Sequence, residues 1–149
     1  MAREVVLVTI LSSVNLVFTI AVSAIVWFCQ EVHYPLYRAV PPIAFAGYFR
    51  EHLRSARRML ELPLLCEAIA TIGLAFLSRG PVRVLALVGL GLLLVGLLVT
   101  ATTIERSYRT LARGFVAHEL AVLLRWNFVR ACVWSGRSAI ALAVVWFSR

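Results

Sequence analysis

Four long apolar runs restrict this chain more than any other feature of its sequence. A membrane-crossing helix needs about 20 predominantly apolar residues at about 1.5 Å of rise each. Residues 5–28, 59–77, 82–103 and 120–147 all reach that length, and the third contains an uninterrupted apolar core from Val84 to Val99. The linkers are short, and no internal repeat, low-complexity tract or second domain breaks the pattern. The runs therefore predict one transmembrane domain over residues 1–149, an all-α, antiparallel four-helix bundle. Arg79-Gly80-Pro81 predicts the tight turn between spans two and three, with Gly and Pro stopping one helix and starting the next. The first run passes through Val22-Ser23-Ala24, a possible signal-cleavage site, and continues as Ile25-Val26-Trp27-Phe28, so it reads as a retained span.

Composition supports the same class. The chain is 62% hydrophobic, against about 45–50% in an average soluble domain. All fifteen basic residues are Arg and all seven acids are Glu, which gives a net charge of +8. Such a balance usually suggests nucleic acid. Here the arginines flank apolar runs instead of forming one solvated face, so lipid headgroups and orientation account for them and a nucleic-acid partner is not expected. Arg38, Arg50, Arg54, Arg57, Arg58, Arg106, Arg109, Arg113 and Arg125 follow spans one and three, while only Arg3, Arg79, Arg83 and Arg149 lie on the other side. Nine against four predicts those two loops in the cytoplasm and both termini on the non-cytoplasmic side. Cys29, Cys66 and Cys132 show no C-x-x-C spacing and predict neither a disulfide framework nor a thiol-redox motif.

Polar groups inside a bilayer are costly, and each is a candidate for function. In span one, Ser12, Asn15, Thr19, Ser23, Gln30 and His33 fall on one helical face, a polar stripe ending in an imidazole. The hydroxyls alone are also explained by bonding to the carbonyl one turn back. In span four, Asn127, Arg130, Trp134 and Arg137 share a face by steps of three, four and three. Glu67, apolar on both sides in span two, is the expected counter-charge of Arg130, or of Arg137 as second choice. An ion pair there also has a plain structural reading, the fixing of helix register. Glu61 is explained by Arg57 and Arg58 within helical reach. Pro63 removes a hydrogen bond to the Met59 carbonyl and predicts a kink.

His33, His52 and His118 all fall at the Arg-rich end and are the candidates for a metal site, since neutral imidazole with carboxylate suits Zn, Fe or Cu. The pattern is weak, because no H-x-x-x-H or E-x-x-H lies within one helix. Haem ligation is a lesser alternative, and a cofactor-free site is equally open. No G-x-S-x-G and no Ser-His-Asp arrangement occurs. Cys132, two residues from Arg130, reads better as packing than as an activated thiol.

Gln30-Glu31-Val32-His33-Tyr34-Pro35, Tyr48-x-x-x-His52-x-x-x-Ala-Arg57-Arg58, Leu62-Pro63-Leu64-Leu65-Cys66-Glu67-Ala68 and Asn127-x-x-Arg130-x-x-x-Trp134-x-x-Arg137 together resemble the small four-span bacterial membrane proteins related to the anthrone-oxygenase-like family. The third span matches in hydropathy alone. The resemblance implies a bacterial inner-membrane location and a cofactor-independent oxygenase that converts anthrones to anthraquinones. It points to His33, His52, Glu67, Asn127 and Arg130 as the polar set. One departure stands out: relatives are expected to carry a further His near the end of span three, where this chain reads Glu105-Arg106-Ser107-Tyr108-Arg109.

The expectation is a polar cavity lined by Asn15, Gln30, His33, Glu67, Asn127, Arg130 and Trp134, with Tyr34 beside it, opening towards His52 and His118. The first functional expectation is a membrane-embedded oxidoreductase or oxygenase acting on a lipophilic, aromatic or quinone-like small molecule. His33 or His52 would serve as base, and Arg130, oriented by Glu67, would hold the developing oxyanion. Gln30, Asn15, Asn127, Trp134 and Tyr34 would bind the substrate. The alternative is a non-catalytic small integral membrane protein: a transporter-like subunit, an assembly factor, or a homo-oligomer or partner within a larger membrane complex.

Overall fold

The computed structural model describes residues 2–148, so Arg149, counted above among the flanking arginines, lies outside the described residues. Helix α1 covers Ala2–Phe28 and runs into a single π-helical turn, Cys29–His33, and then a 3-10 turn, Pro35–Ala39. Helix α2 covers Pro42–Leu77 and passes through Pro63 as one element. Helix α3 covers Gly80–Val99, continues as a π turn over Thr100–Ile104, and leads into α4, Glu105–Leu111. Helix α5 covers Ala117–Phe147. Helices α1 and α3 each pack against both α2 and α5, which closes an antiparallel four-membered ring with α4 as an extension of α3.

Four helical segments, Arg3–Ala39, Pro42–Leu77, Gly80–Leu111 and Ala117–Phe147, are long and apolar enough to cross a bilayer, the architecture of an integral membrane protein. The polarity of the bundle runs opposite to that of a soluble protein. Val17, Ile20, Leu62, Phe76, Leu94, Leu98 and Leu142 stand on the outside. Asn15, Thr19, Glu67, Thr71, Asn127, Arg130 and Arg137 are buried. Lipid is as apolar as leucine, so apolar surface gains nothing by facing inward, and polar groups find their partners only there.

The turn at Arg79-Gly80-Pro81 forms as the sequence predicts. Gly80 takes a positive φ of 58°, open to glycine at no steric cost, and Pro81 sits in the first turn of α3. The Arg-rich end departs from expectation. The stretch from Pro42 to Arg58, read as loop, is helix, because Phe45 and Phe49, one turn apart, bury themselves against Tyr37 and leave the arginines outside. At about 1.5 Å per residue α2 is about 54 Å long, more than the 40–45 Å of a bilayer with its headgroups. Residues 105–111, also read as loop, are helix for the same reason, with Ile104, Ser107 and Leu111 buried.

Where α3 meets α5, the ring of Trp134 lies over Gly96, and any Cβ at that position would collide with it. Gly96→Val is expected to destabilise the bundle by about 1–3 kcal/mol, the usual range for overpacking. Thermal unfolding in mild detergent measures this. An unchanged midpoint would mean that the ring moves aside freely.

Candidate functional site

The four residues of the span-four motif share one face, as their spacing requires: Asn127, Arg130, Trp134 and Arg137 are all buried. The polar stripe of α1 also faces inward, and Ser12, Asn15, Thr19 and Ser23 are buried. Ser12 bonds back to the Val8 carbonyl at 2.8 Å, so for that hydroxyl the local explanation holds. The remaining polar residues divide into two groups at different depths, and the single cavity expected from the sequence does not form.

The first group is closed. Arg137 Nε donates to Glu67 Oε1 at 2.7 Å, and its Nη2 lies 2.5 Å from the same oxygen. Arg137 Nη1 donates to the Gly89 carbonyl on α3. Thr19 Oγ1 donates to Glu67 Oε1 at 2.9 Å, and Thr71 Oγ1 donates to Asn15 Oδ1 at 2.9 Å. Glu67 therefore pairs with Arg137, the second choice, instead of Arg130. A long side chain on a helix leans towards its N-terminus, so Arg130 reaches up towards Asn127 while Arg137 comes level with Glu67. Asn15 and Glu67, expected to line the cavity, are held in this cluster. Four helices contribute to it, which suits a register pin better than a ligand site.

The second group is open. Arg130 Nη2 donates to Asn127 Oδ1 at 2.7 Å, and Asn127 Nδ2 donates to Gln30 Oε1 at 2.9 Å. Asn127, not Glu67, orients Arg130, and Gln30 stands behind Asn127. Among the described residues no carboxylate pairs with Arg130, although it is only 7% exposed. Two cavities meet at its side chain. One, of about 530 Å³, opens between α1 and α2 and is lined by Phe28, His33, Tyr34, His52, Met59, Tyr108 and Arg130. The other, of about 200 Å³, opens between α2 and α3 and is lined by Val22, Val26, Leu64, Leu97, Tyr108, Arg130 and Trp134. Ala56 and Leu60 of α2 border both, so this stretch of helix lies as a cover over the guanidinium.

The larger cavity holds an imidazole pair. His33 Nε2 and His52 Nδ1 are 2.9 Å apart, the distance of an N–H···N bond, in which the accepting nitrogen carries no proton. Two nitrogens on one tetrahedral zinc, each about 2.0–2.1 Å from the metal, stand farther apart than this. His118 does not join the pair. It is exposed and lines a separate pocket with Arg106, Glu119 and Trp126, and among the described residues no group of three His, Cys or Glu side chains gathers for a metal. The expected three-histidine site is thus not assembled, because α4 and the short link to α5 carry His118 to the outer side of the bundle.

The two π turns flank this region. The wider turn at the end of α1 brings the backbone N–H of Tyr34 to the Cys29 carbonyl at 2.9 Å and buries the Tyr34 ring. The turn at Thr100–Ile104 leads to Tyr108, whose hydroxyl lies 2.5 Å from that of Tyr34. Single π turns inserted in α-helices frequently mark functional positions. Tyr108 lines both cavities and is not among the site residues expected from the sequence. The signal was its place one turn after Ile104, hidden by the charged neighbours Glu105, Arg106 and Arg109. Arg57 forks onto Glu105 at 2.9 and 3.1 Å, tying α2 to α4 at the rim of the smaller cavity, so it serves Glu105 and not Glu61.

No family model, curated protein or solved structure matches this chain.

Proposed function

We propose that this protein is a membrane-embedded oxygenase-like enzyme that takes a lipophilic hydroxy-aromatic compound from the bilayer and oxidises it through its enolate. The observation that carries the reading is the joint placement of a hydrogen-bonded His33–His52 pair and a carboxylate-free, buried Arg130 in one laterally open cavity. A neutral imidazole nitrogen of the pair removes a proton from the acidic carbon between the rings of the substrate. The oxygen of the resulting enolate is held by Arg130, which Asn127 keeps in place. Dioxygen then oxidises the enolate. One of its oxygen atoms stays on the ring carbon as a carbonyl, and the other leaves as water with the two hydrogens of the methylene. Phe28 and Met59 at the rim, both exposed, offer an apolar entrance from the lipid side. The arginine count supports an orientation with the Arg-rich end of the bundle in the cytoplasm and both termini on the non-cytoplasmic side.

The test is oxygen uptake and quinone absorbance with purified protein and a panel of anthrones. Turnover above protein-free autoxidation is expected for the wild type, with about a 10²-fold loss in His52→Ala, the lower end of what a general base contributes. No turnover across the panel, or equal rates in His33→Ala, His52→Ala and wild type, would remove the mechanism. A second reading, a non-catalytic subunit of a larger membrane complex, is favoured by the exposed row Arg50, Arg54 and Arg58 on α2. It predicts the absence of turnover together with stable co-purification of a partner.

A further inference from the structure

The smaller cavity has an electrostatic demand that the His pair does not meet. Two of its lining residues, Arg130 and Trp134, lie one helical turn apart on α5 and are 7% and 2% exposed. Arg130 Nε and Trp134 Nε1 are buried N–H donors with no acceptor among the described residues. Buried donors without partners are rare, because each forgoes a bond it would make in water. Among the described residues Arg130 has no carboxylate partner; of the two carboxylates that also line the cavity, Glu105 is held by Arg57 and Glu61 is exposed. The two donors therefore lack two acceptor oxygens, which a carboxylate supplies together with a negative charge beside Arg130.

We propose that the cavity between α2 and α3 binds the carboxylate of a lipophilic acid, with one oxygen accepting from Arg130 Nε and the other from Trp134 Nε1. Ring or chain carbons of the ligand lie against Val22, Val26, Leu64 and Leu97 and leave towards the bilayer between the two helices. Depth separates this occupant from a phospholipid. Arg130 lies about 20 Å along α5 from Ala117 and about 7.5 Å beyond the flanking Arg125, on the apolar side of that arginine. A phosphodiester is held at the headgroup level by its two ester arms, whereas a terminal carboxylate can follow its own chain inward. A monoanion matches the one buried guanidinium, since Arg57, which also lines this cavity, is already committed to Glu105. The inference rests on the proposed function only in sharing Arg130, and it adds that the substrate or a regulator carries an acid group. Carboxylate binding without turnover would keep this site and sink the enzyme.

The measurement is saturable binding of anthracene-9-carboxylate, followed by its own fluorescence, to the whole protein in phosphatidylcholine nanodiscs, with anthracene-9-methanol as the neutral match. At least tenfold tighter binding of the carboxylate is expected. Trp134→Phe, which keeps a ring but loses the N–H, is expected to weaken the carboxylate several-fold and leave the alcohol unchanged. Arg130→Gln is expected to remove the preference altogether. Equal affinity for the two probes in the wild type would overturn the proposal without reference to any variant. Displacement of the probe when phosphatidylglycerol replaces part of the phosphatidylcholine would assign the site to a lipid phosphate and overturn it as well.

Discussion

Glu67→Leu is expected to lower the stability of the bundle by about 3–5 kcal/mol, and the same change combined with Arg137→Met to recover most of that loss. The two effects have one cause. Glu67 and Arg137 are fully enclosed and share their hydrogen bonds with Thr19, Thr71, Asn15 and the Gly89 carbonyl, so nothing outside the cluster replaces a lost partner. Removing the carboxylate leaves a guanidinium in a low-dielectric interior with only neutral acceptors. Removing both charges leaves two apolar side chains of similar volume, and such replacements of buried pairs are often neutral or stabilising. The comparison is read from unfolding of the purified protein in detergent, single and double variants side by side. A double variant as unstable as Glu67→Leu would mean that the cluster stabilises the fold through its geometry and not through charge balance.

The reason that this cluster was only half legible lies in side-chain reach. Spacing placed Asn127, Arg130, Trp134 and Arg137 on one face, and all four are buried there. Spacing along one helix says nothing of height relative to another, and the choice between Arg130 and Arg137 for Glu67 depends on that height. The four spans were legible because about 20 apolar residues in a row have few other solutions. The helical extensions at the Arg-rich end were not, because in Pro42–Arg58 the apolar signal is carried by Phe45 and Phe49 among charges, and their burial depends on the distant Tyr37 and Phe115. The His33–His52 pair lay within reach of a sequence reading that put both at one end of the bundle. Tyr108 falls in the same end layer by its position, but its place at both cavities follows a π turn that no residue pattern in Thr100–Ile104 announces.

Arg130→Met separates a working arginine from a structural one. Turnover is expected to fall by about 10²–10³-fold, the loss typical of removing one oxyanion donor from a preorganised site. Stability is expected to change less than in Arg137→Met, because Arg130 has no carboxylate to leave behind. Its loss frees Asn127 Oδ1, but Asn127 Nδ2 still donates to Gln30 at 2.9 Å and to the Val26 carbonyl at 3.3 Å. Burying an unpaired guanidinium is unfavourable in itself, and a residue kept at the expense of stability is the pattern that sites of function show. Arg130→Lys sharpens the comparison. It retains a charge at the end of a flexible stem but loses the rigid fork of donors, so it is expected to recover only part of the turnover. Rates are compared at equal folded fraction, with unfolding midpoints measured on the same preparations. If Arg130→Met and Arg137→Met lose stability equally, and activity falls only in proportion to folded protein, Arg130 is another pin of the bundle and the open cavity has no chemistry of its own.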